Sequence, residues 1–390
     1  MSKQRIYLDH AATSYPKANG VLEAMDHFAR SCGATAGRGG YTSARTADQV
    51  VAKLRQKLAE FVGAESSSCI SFHASGTAAL NAAIQSTLRP GDHVVTTAAE
   101  HNSVLRPLHH LQKHNDVKLT IVPVDSDGLV DVAEVLAATT SKTRLVAVTS
   151  ASNVTGCVEP IAEIGQRLKD RSAIFLCDAA QTLGVLPIDV TAMGIDLLAA
   201  PGHKGMGAPA GTAMLYANQS LHEVMQPIIQ GGTGSQSESL DMPEQMPAKM
   251  EAGNLNIPAL AGWLAAAESL NSDELERRRI YHGELAALLY DGLRQVDGVT
   301  LFGQTGPLPI ASMAINGMDV GDLSMILDSD FSIETRSGYH CAALIHSHIG
   351  SSAGGTLRMS AGSTTTRQDI ETAIDAVKVI STKMQEFSQL

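Results

Sequence analysis

No apolar run in these 390 residues approaches the length of a membrane span. The opening segment, MSKQRIYLDH, lacks the apolar core of a signal peptide. No stretch concentrates lysine and arginine, and the net charge is −11, which argues against nucleic acid or an acidic membrane surface as the main partner. Cysteine is scarce. Cys32, Cys69, Cys157, Cys177 and Cys341 form no CxxC, and an odd number leaves one unpaired, so they read as reduced thiols. There is no internal repeat. Neither GRGG nor GHKGMG fits the dinucleotide fingerprint or a P-loop. His110 and His114 lie one turn apart on a helical pattern without the Glu of a zinc motif, so they read as a solvated face. The expectation from these absences is a soluble, cytoplasmic protein with no nucleic-acid or membrane partner and no metal.

What is present is a sequence rich enough in apolar residues, 44%, to bury a sizeable core, and long enough for two domains. Short β-rich runs alternate with helical patterns. CISF precedes SGTAALNAAIQSTL, DHVVTT precedes EHNSVLRPLHHLQKHN, and RLVAVTS precedes PIAEIGQRLKDR and AIFLCDAA. The runs are apolar throughout, as in strands covered on both faces. Strands alternating with helices predict a wound, mostly parallel α/β sheet. The character changes near residue 255, where two long helical patterns precede VTLFG, IASMAIN and TLRMSAG, strands of a second sheet. In the last segment Ile370, Ala373, Ile374, Val377 and Ile380 share a helical face, with Thr365 and Gln368 placed as a capping box. Two Gly/Ser-rich segments, 231–239 and 347–355, read as mobile loops.

The stretch LLAAPGHKGMGAPAG, 197–211, carries one lysine, Lys204, among apolar residues, glycines and prolines. A lysine out of water is costly. Asp178 closes the predicted buried strand AIFLCD, at the sheet edge where ligands bind; alone it reads as a helix N-cap. Asn153 in SNVTG follows another strand in the same way. HASGTAALN puts small residues before a helix whose free N–H groups would hold a phosphate. Together these suit pyridoxal phosphate: the lysine forms a Schiff base, and the carboxylate keeps the pyridine nitrogen protonated. The glycines around Lys204 are expected to let backbone approach a flat cofactor.

The set YLDHAATSYPK, GRGGYTSA, GTAALN, EHNSVLRP, SNVTG, DAAQTLG, GHKGMGAPAGTAML, EAGNLNIPAL and RSGYHCA, in this order, resembles the class V branch of fold-type-I pyridoxal-phosphate enzymes, and within it the cysteine desulfurases and selenocysteine lyases. The resemblance implies a large domain, 15–255, with a mostly parallel seven-stranded sheet between helices. It also implies a smaller α/β domain from 1–14 and 256–390. It casts Lys204 as the Schiff-base lysine, Asp178 as partner of the pyridine nitrogen and Gln181 as partner of the ring's phenolic oxygen. His101 becomes the histidine on the ring face. Gly76, Thr77 and His203 become phosphate ligands, and Asn153, Arg358 and Arg38 become contacts to the substrate. Pro201 stands where many relatives carry a small hydroxyl residue. Asn254 replaces a threonine that reaches the partner subunit's phosphate in a homodimer.

Cys341 decides the implied reaction. RSGYHCA is similar to the segment that presents a nucleophilic cysteine to the substrate sulfur. Nearby Arg336 and His340 are expected to favour its thiolate. The other cysteines read as small buried residues. The implied activity is conversion of L-cysteine or selenocysteine to L-alanine. The sulfur is held as a persulfide on Cys341 and passed to an acceptor protein, as in iron–sulfur cluster assembly. The alternatives are another class V reaction, an aminotransferase or a kynureninase-like lyase, and a non-catalytic scaffold of the same fold.

Overall fold

The structure is a computed structural model, describing residues 5–37, 39–234, 236, 238–351 and 354–388. Arg38 lies outside the described residues, as do Ser235 and Ser237 of one Gly/Ser-rich segment and Ser352 and Ala353 of the other.

After β1 (Ile6–Tyr7) and the paired helices α1 (Val21–Ser31) and α2 (Thr42–Phe61), the chain enters the larger sheet. Its strands are β2 (Ile70–His73), β3 (His93–Thr97), β4 (Lys118–Val122), β5 (Thr143–Thr149), β6 (Ile174–Asp178), β7 (Leu197–Pro201) and β8 (Ala213–Ala217). Their order is β2-β8-β7-β6-β5-β3-β4, and β8 alone runs antiparallel to its neighbours. The expected seven-stranded, mostly parallel sheet is present. Every residue of β6, β7 and β8 is buried, which is why these segments are apolar throughout rather than alternating. The connecting helices are α3 (Gly76–Thr87), α4 (Asn102–His114), α5 (Val132–Ala138) and α6 (Ile161–Leu168). One apolar core on one face joins the sheet to α1, α2, α5 and α6. A second, on the other face, joins it to α3 and α4. The next helix, α7 (Ile257–Ser269), packs against α1 and α2 and puts the fully buried Trp263 into the first of these cores, although it follows the compositional change near residue 255.

The C-terminal elements are α8 (Ser272–Arg294), β9 (Val299–Phe302), β10 (Ile310–Ile315), α9 (Val320–Phe331), β11 (Ile333–Glu334), β12 (Arg336–Gly338), the short α10 (Ile345–His348), β13 (Thr356–Ser360) and α11 (Arg367–Ser388). A four-stranded antiparallel sheet, β12-β13-β10-β9, packs under α8, α9 and α11 in a separate core. Ile370, Ala373, Val377 and Ile380 are buried in it as the helical pattern predicts, with Ile374 at its margin. The cap of α11 differs by one residue from the sequence expectation. Thr366 and Asp369 form the reciprocal box, because Thr365 Oγ1 instead accepts the Gly362 N–H at 3.0 Å. The strand β1 pairs with β11, and Leu8 joins the C-terminal core. Residues 9–19 consequently run between the two sheets.

Candidate active site

The parallel order places the C-terminal ends of β3, β5, β6 and β7 on one edge. Since β2 and β7 are both antiparallel to β8, the end of β2 lies there too. This edge is where open α/β sheets bind ligands. Ten expected site residues converge there on one cavity of about 220 Å³: Gly76 and Thr77 after β2, His101 after β3, Asn153 after β5, Asp178 and Gln181 at the end of β6, His203 and Lys204 after β7, and Cys341 and Arg358 from the C-terminal part. Asn254 is exposed and does not line it.

Helix α3 opens with Ser75, whose side chain accepts the Ala78 N–H. The Gly76 and Thr77 N–H groups, in the first turn, have no helical acceptor and border the cavity. Thr77 Oγ1 meets Ser103 Oγ at 2.7 Å, and Ser103 Oγ meets His101 Nδ1 at 2.9 Å. Ser103 N–H also donates to His101 Nδ1, at 3.0 Å, so the ring caps α4. Burial, then the positive charge of Lys204, pushes His101 down to about 4. The ring is therefore neutral at physiological pH, with Nδ1 as acceptor and the proton on Nε2. Ser103 has no assigned role in the sequence reading, since a serine after EHN carries no signal of its own.

Lys204 borders the cavity with no hydrogen bond from Nζ to a described residue. Burial pushes its amine down to about 8, while the Asp178 carboxylate acts in the opposite sense. Asp178 is buried, which raises its carboxyl, and Lys204 and the Ala180 N–H at 3.0 Å oppose that rise. The two groups thus feel each other's charge across a shared cavity. Behind them, burial holds Glu100 well above the usual carboxylate range; its Oε1 accepts from Thr97 Oγ1 and Thr149 N–H, and its Oε2 is an unpartnered buried atom. The glycines beside Lys204 are required by the protein's own packing. A Cβ at Gly205 would stand 2.4 Å from Leu183 O, and one at Gly202 would stand 2.9 Å from Trp263 Cε2. Close protein packing excludes a side chain there.

Arg358 is 1% exposed. Its Nη2 donates to Asp9 Oδ1 at 2.6 Å and its Nη1 to Asn153 O at 2.9 Å, while its Nε has no partner. Asp9 was legible only as part of YLDHAAT; its carboxylate balances the buried guanidinium. Asp9→Ala should therefore destabilise the fold by about 3–5 kcal/mol, because an uncompensated buried charge remains. Urea unfolding checks this, and Asp9→Asn should lose less.

His340 and Cys341 both adopt left-handed backbone, at φ 48° and 58°. Non-glycine residues hold this conformation only when neighbours impose it. Asn153 Nδ2 donates to His340 O at 2.6 Å, and the Asn102 N–H donates to Cys341 O at 2.6 Å. The turn so pinned leaves Cys341 exposed at the cavity, whereas Cys69, Cys157 and Cys177 are buried. The expectation that His340 supplies positive charge to Cys341 fails. Its Nε2 faces Thr356 O at 3.0 Å, and burial pushes the ring down to about 3, so it is neutral. Arg336 does border the cavity. His346 bonds Ser351 Oγ and Tyr339 O, which ties the segment after Cys341 to the one before it. Among the described residues, no group of three His, Cys, Asp or Glu is arranged to hold a metal, and no helix is long and apolar enough to cross a membrane.

Burial also sets an acid limit on stability. His10, His73, His101, His203 and His282 are pushed down to about 4 and His340 to about 3. The unfolded chain protonates these rings near their ordinary value of about 6.5. Between there and about 4 the unfolded state binds more protons, so stability falls as pH falls through that window. Glu159, raised to about 7 by burial, opposes this together with Glu100, Asp178 and Asp196, whose carboxyls burial also raises, but the six histidines outnumber these acids. The melting temperature should drop steadily from pH 6.5 to 4.5; a flat profile would contradict it.

The aminotransferase class-V family model matches residues 6–372. The chain belongs to this family. A probable cysteine desulfurase of Methanothermobacter thermautotrophicus is 34% identical over 374 residues, covering 95% of this chain and 93% of that one. The apo structure of cysteine desulfurase from Thermococcus onnurineus superposes with a TM-score of 0.90 at 29% identity, covering 97% of this chain and 95% of that one. The cysteine desulfurase CsdA from Escherichia coli gives a TM-score of 0.86 at 26% identity, with 96% and 94% covered. The family match agrees with the resemblance read from the ordered motifs.

Proposed function

We propose that this class V chain is a pyridoxal 5′-phosphate-dependent cysteine desulfurase. It converts L-cysteine or selenocysteine to L-alanine, holds the released sulfur as a persulfide on Cys341 and passes it to an acceptor. The observation that carries this reading is the joint placement of a buried unpaired amine, a buried carboxylate and an exposed cysteine on one cavity. The residues suit the cofactor. Lys204 Nζ lacks a hydrogen-bond partner among the described residues, and the α3 N-terminus offers unpaired N–H groups.

Bound there, pyridoxal phosphate supplies an electron-accepting ring for the pair left at the substrate Cα. Lys204 would hold the cofactor through its aldehyde carbon, and Asp178 would keep the ring nitrogen's proton. Gly76 and Thr77 N–H, with His203, would bind the phosphate. Asn254 would reach the phosphate of the second copy in a homodimer. His101 would lie against the ring, and Gln181 would bond its phenolic oxygen. Arg358, which borders the cavity, would bind the amino-acid carboxylate with Asn153, and Arg38 would reach the substrate as well. Lys204, with its amine at about 8, reaches its neutral form near physiological pH and takes the Cα proton. Cys341 Sγ, as thiolate, bonds to the substrate sulfur while the Cβ–S bond breaks. The pair of the broken bond stays on the carbon side, which protons complete to the methyl of alanine. Cysteine plus thiol gives alanine plus persulfide.

The reading is tested by supplying L-cysteine, selenocysteine and cysteine sulfinate in parallel. Alanine should form from cysteine together with an equivalent of sulfane sulfur. A keto acid in place of alanine overturns the proposal in favour of transamination. A protein that stays colourless when supplied with pyridoxal phosphate overturns it in favour of a scaffold.

A further inference from the structure

A second cavity lies behind the wall formed by Lys204. Its volume is about 410 Å³, against 220 Å³ for the first. Ala11, Gln181 and Lys204 line both spaces, and a 3.1 Å bond from Gln181 Nε2 to Ala11 O closes the partition between them. The second space opens to solvent past the exposed residues Pro16, Asn19, Ser363 and Thr364.

Its polar groups favour an anion. Lys17 Nζ donates to Ser14 O, Thr13 Oγ1, Ser14 Oγ and His203 O, all of them neutral. Arg278 gives Nε to Glu274 at 3.1 Å and Nη1 to Gly205 O at 3.1 Å, leaving Nη2 without a hydrogen bond to a described residue. His282 is 5% exposed, and its Nε2 meets Ser363 Oγ at 3.3 Å. His10 and His282 are neutral through burial, so Glu274 is the one negative group in the lining against Lys17 and Arg278. Beside the neutral polar Ser14, Asn19, Gln181, Ser269, Ser363 and Thr364, the wall carries an apolar patch of the buried Val185, Leu308 and Ile310. An inorganic anion would leave that wall uncovered, and the ammonium of a free amino acid would face two cations.

We propose that this cavity binds a short-chain monocarboxylate, its carboxylate held by Arg278 and its hydrocarbon by Leu308, Val185 and Ile310. A guanidinium with a free donor beside an apolar pocket is a general arrangement for such acids.

The test is calorimetric titration of the holoenzyme with isobutyrate and with its neutral isostere isobutyramide. Isobutyrate should bind, and isobutyramide should bind at least about tenfold more weakly. Arg278→Gln should weaken isobutyrate by about tenfold or more. Leu308→Trp, which fills the space, should abolish binding. Melting curves establish that each variant is folded. If Leu308→Trp fails to fold, Arg278→Gln decides. Excess L-alanine distinguishes the carboxylate site at Arg358 from this one: binding here persists in its presence. Absence of binding, equal binding of acid and amide, indifference to Arg278→Gln, or displacement by L-alanine would each overturn the proposal.

Discussion

Lys204→Ala should lower turnover of cysteine by about 10²–10⁴-fold or more, the range for removing a positioned acid–base group. It should also leave pyridoxal phosphate removable by dialysis after borohydride treatment, whereas the native protein keeps it covalently fixed. The reason is chemical and local. Burial pushes the Lys204 amine down to about 8, and no described side chain accepts a hydrogen bond from it. It is a base with access to the cavity and no structural partner. Its loss removes the cost of burying a charged amine but also the cation that faces the buried Asp178 carboxylate, so the urea midpoint should change little in either direction. The pH profile carries the same origin. Capture of pyridoxal phosphate by cofactor-free protein needs the neutral amine, so its rate should rise about tenfold per pH unit below about 8 and level off above it. A Lys204→Ala protein that still fixes the cofactor covalently would overturn the assignment.

Cys341→Ala should abolish persulfide formation and lower alanine formation from cysteine by about 10³-fold or more, as removal of an attacking group does. The yellow colour and cofactor affinity should remain, since the side chain is exposed at the cavity rim and bears on no packing. Cys32→Ala, Cys157→Ala and Cys177→Ala serve as controls, and none should lower the rate comparably. The turn itself offers a finer check. Asn153 pins the His340 carbonyl at 2.6 Å, so Asn153→Ala should slow sulfur transfer through the loosened turn as well as weaken substrate binding. Normal sulfide release by Cys341→Ala would remove the nucleophile from the mechanism.

The architecture was largely legible before any coordinates. Apolar runs such as IFLCD and LLAAP can only be strands covered on both faces, and their alternation with helical patterns implies a parallel sheet. The motif order brought Lys204, Asp178, His101 and Cys341 to notice, and the sheet edge does collect them. Other particulars were not legible. The cap of α11 slipped by one residue because Thr365 is recruited by a loop N–H from Gly362. Gly202 and Gly205 proved to serve packing against Trp263 and Leu183, partners twenty or more residues away in sequence. His340 looked like a cation beside Cys341 until its burial was known.

The division follows from the range of the forces involved. Periodicity, strand composition and the residue types of the motifs are local properties, and the chain alone determined the sheet, its helices and which candidate residues the sheet edge would collect. Charge state, hydrogen-bond direction and cavity shape depend on which distant atoms exclude water from a given site. Only the tertiary structure decided that Arg358 is balanced by Asp9, that His101 and His340 are neutral, that His340 and Cys341 are held in a left-handed turn, and that a second space lies behind Lys204.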